Sequence, residues 1–325
     1  IVHHKEMLPQ FAYDVLYKLK ASHLAVGITI FILGLFKKVI LADNISVYAT
    51  PVFEAAESGI SLTMFEAWGG ALAYTFQLYF DFSGYSDMAV GIARMFGVVL
   101  PINFYSPYKA NSIIEFWHRW HITLSRFLRD YLYFPLGGNR KGKVRRYINL
   151  MITMLLGGLW HGAGWTFIIW GGLHGMYLCI NHTWKAIENK TFWRESNTSI
   201  LPKTFGRLIT FFAVIVAWVM FRAESLDGAI NMYAGMFGGN GVSLPTSLEP
   251  ILISLSEPLS IVEINYDGMF KNDVFGSPKH GIFMLFVMLL IVWFAPNTYD
   301  LLKNEKPVLG LEDYLLENKS FRLAI

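Results

Sequence analysis

Residues 155–175 read LLGGLWHGAGWTFIIWGGLHG, an apolar run interrupted by Trp160-His161-Gly162-Ala163-Gly164. An ionisable residue inside apolar sequence of membrane length is rare and points to function. The flanking apolar runs are brief. From Tyr147 to Trp160 a helix rises only about 21 Å, and Thr166–Ile180 is similar, against about 30 Å of hydrocarbon. Two helices that short, meeting at a glycine-rich break, predict a hairpin whose tip lies inside the membrane. Irregular backbone at that depth survives only where protein or a water-filled cavity surrounds it. The run therefore predicts His161 on an internal cavity, outside both lipid and bulk water.

The composition agrees with a membrane setting. Of 325 residues, 54% are hydrophobic, 16% aromatic and only 16% charged, where soluble domains carry roughly 25% charge. Abundant Trp, Tyr, Phe and Gly suit interfacial belts and close helix packing. Runs of 15 to 20 apolar residues exclude the short alternating strands of a transmembrane barrel. The expected class is an all-α polytopic membrane protein. The net charge of +3 says little about partners, because the charges are segregated along the chain. No nucleic-acid partner is expected. The single cysteine, Cys179, reads as a small packed hydrophobe and leaves the redox compartment unread. No signal peptide is visible at Ile1, and the chain reads as one membrane domain, residues 1–325, lacking N-terminal and C-terminal helices of a longer protein.

Outside the central run, residues 1–22 read as an interfacial segment in which His3 and His4 are solvated. Residues 23–36 are apolar and end at Lys37-Lys38, placed at a membrane surface by lysines that snorkel. Residues 64–80 form a second apolar segment, ending in QLYFDFSGYSDMAVGIARMFG. There the Asp81-Phe82-Ser83-Gly84-Tyr85 stretch predicts a break between two helices, with Asp81 or Ser83 either capping the second helix or walling the cavity of His161. Pro101–Asn111 is a loop. Residues 113–138, IIEFWHRWHITLSRFLRDYLYFPLGG, are helical by spacing yet too charged to span. They place His121, Ser125 and Leu128 or Arg129 on one face. His118 and His121 stand three apart, but no HExxH motif or Cys/His set accompanies them, so no metal site is expected.

The loop GGNRKGKVRRY, residues 137–147, carries five basic residues and no acid, which makes it cytoplasmic by the positive-inside rule. It would also attract an anionic cytosolic donor. Residues 183–207 are again net basic, so the hairpin enters and leaves on one side. Residues 208–221 cross outward. Residues 224–279 hold seven acids and two lysines, as an external face would. Residues 280–295 cross back, and residues 296–325 are polar and cytoplasmic.

Three stretches, QLYFDFSGYSDMAVGIARMFG, FWHRWHITLSRFLRDYLYFPLGGNRKG and LLGGLWHGAGWTFIIWGGLHG, together resemble the membrane-bound O-acyltransferase family. LFKKVILADN at residues 35–44 and the start at Ile1 add to the likeness. PLGGNRKG resembles the alginate O-acetyltransferase branch rather than the one that transfers D-alanine to teichoic acids. The likeness runs in order through most of residues 1–222 and fades beyond. It implies a ring of helices around a central tunnel, with short and re-entrant helices, in a multi-pass protein of the bacterial inner membrane. It assigns the catalytic histidine to His161 and the second histidine to His121, and gives His118 no role.

Acyl transfer from a thioester to a hydroxyl needs a base and a means of stabilising an oxyanion. Neutral imidazole is a suitable base near pH 7, and burial favours the neutral form. A dry site also limits thioester hydrolysis, and Gly162 and Gly164 let backbone approach the reacting centre. Candidate walls are Trp160, Ser125, Arg129, Asp130, Asn139, Asp81 and His174. The expected donor is acetyl-CoA or an acyl-carrier thioester, with no resident cofactor. The expected acceptor is an exported, alginate-like polysaccharide, reached directly or through a periplasmic acyltransferase partner, with membrane lipid around. Transfer of D-alanyl or another acyl group, a proton-coupled transporter using His161 and Asp81, and a non-catalytic export scaffold are the alternatives. The transporter predicts two related halves, and no internal repeat is visible.

Overall fold

The computed structural model describes residues 2, 4–12, 20–188, 200–252 and 263–302. His3, most of the segment to residue 22, the middle of 183–207 and nearly all of 296–325 lie outside these. A short helix α1 (His4–Met7) precedes α2 (Ala21–Phe36), which continues through a π-helical turn (Lys37–Ala42) into α3 (Asp43–Glu57). Next comes α4 (Met64–Met95), of 32 residues. The Thr63 backbone N–H and hydroxyl each donate to Glu66 at 2.9 Å, closing its first turn. The irregular stretch after it leads to α5 (Ile113–Trp117) and α6 (Ile122–Leu128), the latter running into a π-helical turn (Arg129–Tyr133).

The central run then forms α7 (Lys143–His161) and α8 (Trp165–Glu188). They are followed by α9 (Ile200–Arg222) and α10 (Leu226–Met236), with Ser225 capping α10. Two-residue strands β1 (Val242–Ser243) and β2 (Ile264–Asn265) pair in parallel, with α11 (Glu249–Leu252) between them in sequence. Then follow α12 (Pro278–Phe294), with proline at its first position, and α13 (Thr298–Leu301), capped by Asn297. The fold is helical, as its composition requires. The unbroken helix Ala21–Glu57 and the segment Lys203–Arg222 are long and apolar enough to cross a membrane, and Pro278–Phe294 is a shorter apolar helix.

The break expected at Asp81–Tyr85 does not exist, because α4 runs straight through it. The glycine there serves packing. Gly27 and Gly34 of α2 face Gly91 and Gly84 of α4, and a β carbon on Gly34 would stand 2.6 Å from the Gly84 carbonyl oxygen. One built on Gly91 would stand 2.6 Å from that of Gly27. Glycines seven apart recur on one helix face about every two turns, so the two backbones touch along a seam. Gly84→Val is expected to destabilise the fold by about 1–3 kcal/mol, since no flexible side chain there can yield. Thermal unfolding in detergent reads this as a lower midpoint, and an unchanged midpoint would show that the seam is not close-packed.

The expectation that Lys37 snorkels is also overturned. Lys37 turns inward, where its Nζ lies 2.6 Å from Asp87 Oδ2 on α4 and 2.9 Å from Thr298 Oγ1. Thr298 donates to Asp87 at 2.6 Å and the Tyr299 hydroxyl at 3.1 Å. Burying Asp87 is tolerable only because its oxygens are paired in this way. The network ties the π-helical turn after α2 to α4 and α13.

The two arms form a hairpin, but they are longer than the apolar windows from which two brief helices were expected. They have 19 and 24 residues, or about 28 and 36 Å of rise. Basic and polar residues, Lys143–Arg146 on one arm and Asn181–Glu188 on the other, extend both helices at the end away from the break. The arms pack antiparallel: Cys179 Sγ lies 3.8 Å from the Tyr147 carbonyl oxygen near the basic end, and Gly175 packs on Met151 higher up.

Candidate functional site

His121 does not lie on the face of a continuous helix. The chain turns a corner between α5 and α6, and His121 occupies it in the left-handed region at φ 41°. For a residue with a β carbon, that conformation persists only where the surroundings impose it. Asn103 imposes it from the preceding loop. Its backbone carbonyl accepts from Ile122 N–H at 2.9 Å, and its side-chain Oδ1 accepts from the Thr123 N–H and hydroxyl at 3.2 and 2.9 Å.

The same Oδ1 lies 3.1 Å from His121 Nδ1. The donating backbone N–H of Thr123 fixes that Asn103 atom as oxygen, so Nδ1 must be the protonated nitrogen of a neutral ring. The lone pair of His121 is thereby placed on Nε2. Orientation of a histidine through one ring nitrogen, leaving the other for chemistry, is how imidazole bases are held.

His161 is the last residue of α7, set by the chain break at Gly162. A β carbon at Gly162 would lie 2.5 Å from the Phe167 ring, so the turn needs glycine for close approach. The half-buried His161 ring meets Trp160, Trp170 and Phe221 edge-on, with centroids 5.0, 5.2 and 5.1 Å away. No hydrogen bond to it is found among the described residues.

His121 and His161 line one cavity of about 30 Å³. Trp117, Trp120, Trp170 and Trp218 wall it, and Leu78, Phe82, Leu124 and Phe221 complete it. This volume holds about a water or two. A second cavity of about 80 Å³ extends toward the basic end of the hairpin, lined by Ser125, Arg129, Tyr133, Thr153, His182 and apolar neighbours. Trp117 borders both. Arg146, in the first turn of α7, donates to His182 at the far end of the second cavity.

The candidate residues divide accordingly. His121 and His161 share a wall; Ser125 and Arg129 line the second cavity; Asp130 pairs with Arg129 at 2.6 Å beside it. Trp160 sits edge-on to His161 but is 55% exposed, which puts it at the rim. His174 is wholly buried against Trp117 and Trp170 and lines neither cavity. Asp81 and Asn139 lie away from both cavities. Asp81 pairs with Lys38 at 2.6 Å on the half-exposed side of α4, one helical step from cavity-facing Leu78 and Phe82. Asn139 is exposed in the basic loop and lines neither cavity.

Sequence reasoning missed Asn103, which lies in a loop with no local motif. It gave no role to Trp117, Trp120, Trp170 and Trp218, which wall the shared cavity. The nearest signal was the density of tryptophan around both histidines. Asn103→Leu is expected to lower the turnover of any reaction served by His121 at least about 10-fold, since a mis-set tautomer at a catalytic histidine costs up to about 10⁴. Steady-state rates read it, and an unchanged kcat would mean that the orientation of His121 is immaterial.

A helical membrane protein with two cavity-facing histidines, one of them oriented, is the class these features define. The family model for membrane-bound O-acyltransferases matches residues 1–221, and the chain belongs to that family. It is 46% identical to the peptidoglycan O-acetyltransferase of Helicobacter pylori over 297 residues, 91% of this chain and 53% of that protein. It is 52% identical to a probable alginate O-acetylase of Azotobacter vinelandii over 216 residues, covering 66% of this chain and 40% of the other. A teichoic acid D-alanyltransferase of Streptococcus thermophilus is 32% identical over 58% of this chain and 49% of its own length. The chain spans about half the length of the curated relatives it matches.

Proposed function

We propose that this chain carries the transfer centre of an O-acetyltransferase that moves an acetyl group from a cytoplasmic thioester to hydroxyls of an exported cell-envelope polysaccharide. The observation that carries this reading is the shared cavity of His121 and His161, residues brought together from separate elements. The basic loop faces the cytoplasm in a multi-pass inner-membrane protein, so the donor, acetyl-CoA or an acylated carrier, enters through the second cavity past His182 and Arg129. The helices close around the two cavities as a ring around a tunnel.

His161 takes the proton of the attacking hydroxyl, and the Nε2 lone pair of His121 accepts from a second, neighbouring hydroxyl of the acceptor and so holds it in place. The attacking oxygen bonds to the carbonyl carbon, the C–S bond breaks, and the thiolate leaves with the proton from His161. The products are an acetyl ester and a free thiol. Aromatic walls keep out water that would hydrolyse the thioester. The small cavity favours acetyl over a long acyl chain. The hydroxyl belongs to the glycan itself or to a periplasmic acyltransferase that passes the group on.

The test is transfer by the purified full-length protein. Label from acetyl-CoA, or from an acetylated carrier protein, is expected on peptidoglycan, on alginate-type chains or on a serine of a partner. A well-inserted protein that moves label from neither donor overturns the reading.

A further inference from the structure

Behind the shared cavity stand three rings whose hydrogen-bonding needs the protein does not meet. Trp117, Trp170 and His174 are 8%, 2% and 0% exposed. Among the described residues neither indole Nε1 has a partner, and neither does either ring nitrogen of His174. The rings form one cluster: His174 lies 5.0 Å from Trp117 and 4.9 Å from Trp170 between centroids, and the two indoles are 6.0 Å apart. Buried polar groups in native proteins are almost always satisfied, so such a cluster of orphans requires an explanation.

Counting donors supplies it. Each indole offers one N–H and accepts nothing, and a neutral imidazole offers one N–H and one acceptor. Trp218, 1% exposed, stacked on Trp170 at 5.8 Å and likewise without a partner for Nε1 among the described residues, belongs to the same cluster, which therefore has four donors and one acceptor. Pairing one indole N–H with the imidazole acceptor leaves three N–H groups over, two of them indoles. Two surplus indole donors in a dry aromatic pocket complement an acceptor that brings two lone pairs, such as a carbonyl oxygen becoming an oxyanion.

Their placement fits that use. Trp117 is the partition between the two cavities, and Trp170 stands edge-on to His161 at 5.2 Å. A thioester drawn from the larger cavity toward His161 passes the first indole and stops against the second. We propose that the indole N–H groups of Trp117 and Trp170 bind the acyl carbonyl oxygen of the donor and stabilise the oxyanion formed when the hydroxyl adds. This rests on the acetyl-transfer reading. It accounts for the tryptophans by chemistry rather than by bulk, and makes His174 a positioning residue that sets their tilt.

Replacement by phenylalanine keeps a ring and deletes the N–H. In the full-length protein, Trp117→Phe and Trp170→Phe are each expected to lower kcat by about 10²–10³-fold with KM little changed, the loss usual for one oxyanion donor. Trp184→Phe, on the exposed outer face of α8, serves as the control at full rate. If both cavity variants keep kcat within about 3-fold of the parent while His161→Ala is inactive, the donor assignment is wrong and the acetyl-transfer reading stands. Full activity of His161→Ala would sink both.

Where a phenylalanine variant fails to insert, ¹⁵N-indole spectra of the parent protein decide. A ketone analogue of acetyl-CoA, with carbon in place of the thioester sulfur, is expected to move two indole N–H resonances downfield. No movement on saturation overturns the proposal.

Discussion

His161→Ala in the full-length protein is expected to cut acetyl transfer by about 10²–10⁴-fold, the range that one positioned general base supplies. The loss falls on kcat, since the imidazole acts on a proton in flight and contributes little to holding the donor. Three aromatic rings grip the His161 ring edge-on, so its removal leaves a small apolar gap at the end of α7 and the hairpin still forms. His161→Gln fills that gap without a base and is expected to be as inactive as the alanine variant. Adding His121→Ala to either is expected to cost little more, because residues that act as a unit are far from additive. Radiolabel on the glycan, normalised to correctly inserted protein, reads all three. Normal acetylation by His161→Ala would remove the base from the mechanism and favour a scaffold.

The second large effect concerns stability. Asp87→Ala is expected to destabilise the fold by about 3–5 kcal/mol, the cost of leaving one partner of a buried ion pair uncompensated. Lys37, its partner at 2.6 Å, has 16% of its side chain exposed, and Asp87 only 3%. The ammonium would be left with the Thr298 hydroxyl alone, and Thr298 and Tyr299 would lose their acceptor. Replacing both ions, Lys37→Met with Asp87→Leu, is expected to cost far less than Asp87→Ala, since desolvation and attraction then vanish together. Unfolding midpoints of the parent, the single and the double variant form the comparison. Equal midpoints for parent and Asp87→Ala would show that the network does not hold α13 against α4 and the turn after α2.

The hairpin and the histidine at its break were legible because they rest on short-range signals: a glycine break, two apolar windows and one ionisable residue. The wider architecture resisted where one residue type serves two ends. Gly84 beside Asp81 and Ser83 has the chemistry of a helix break, and only the partner glycines of α2, some fifty residues earlier, reveal a packing seam. Lys37 carries the signature of a snorkelling lysine, and its partner Asp87 is reached only through the tertiary fold. His121 followed helical periodicity, yet Asn103 overrode it from a loop that no motif marks. The resemblance singled out His121 and His161, which line one cavity, but it was silent on what orients them.

The central claim is that acyl transfer happens between His121 and His161. A structure of the full-length protein with the ketone analogue of acetyl-CoA tests it most directly. The account predicts the analogue's carbonyl carbon in the shared cavity, within about 3–4 Å of a ring nitrogen of His161 or of a hydroxyl held there, with its chain running past Trp117 toward His182. A carbonyl bound outside that cavity, such as in the groove of Met151, Cys179 and Trp184 on the outer face of the hairpin, would contradict it.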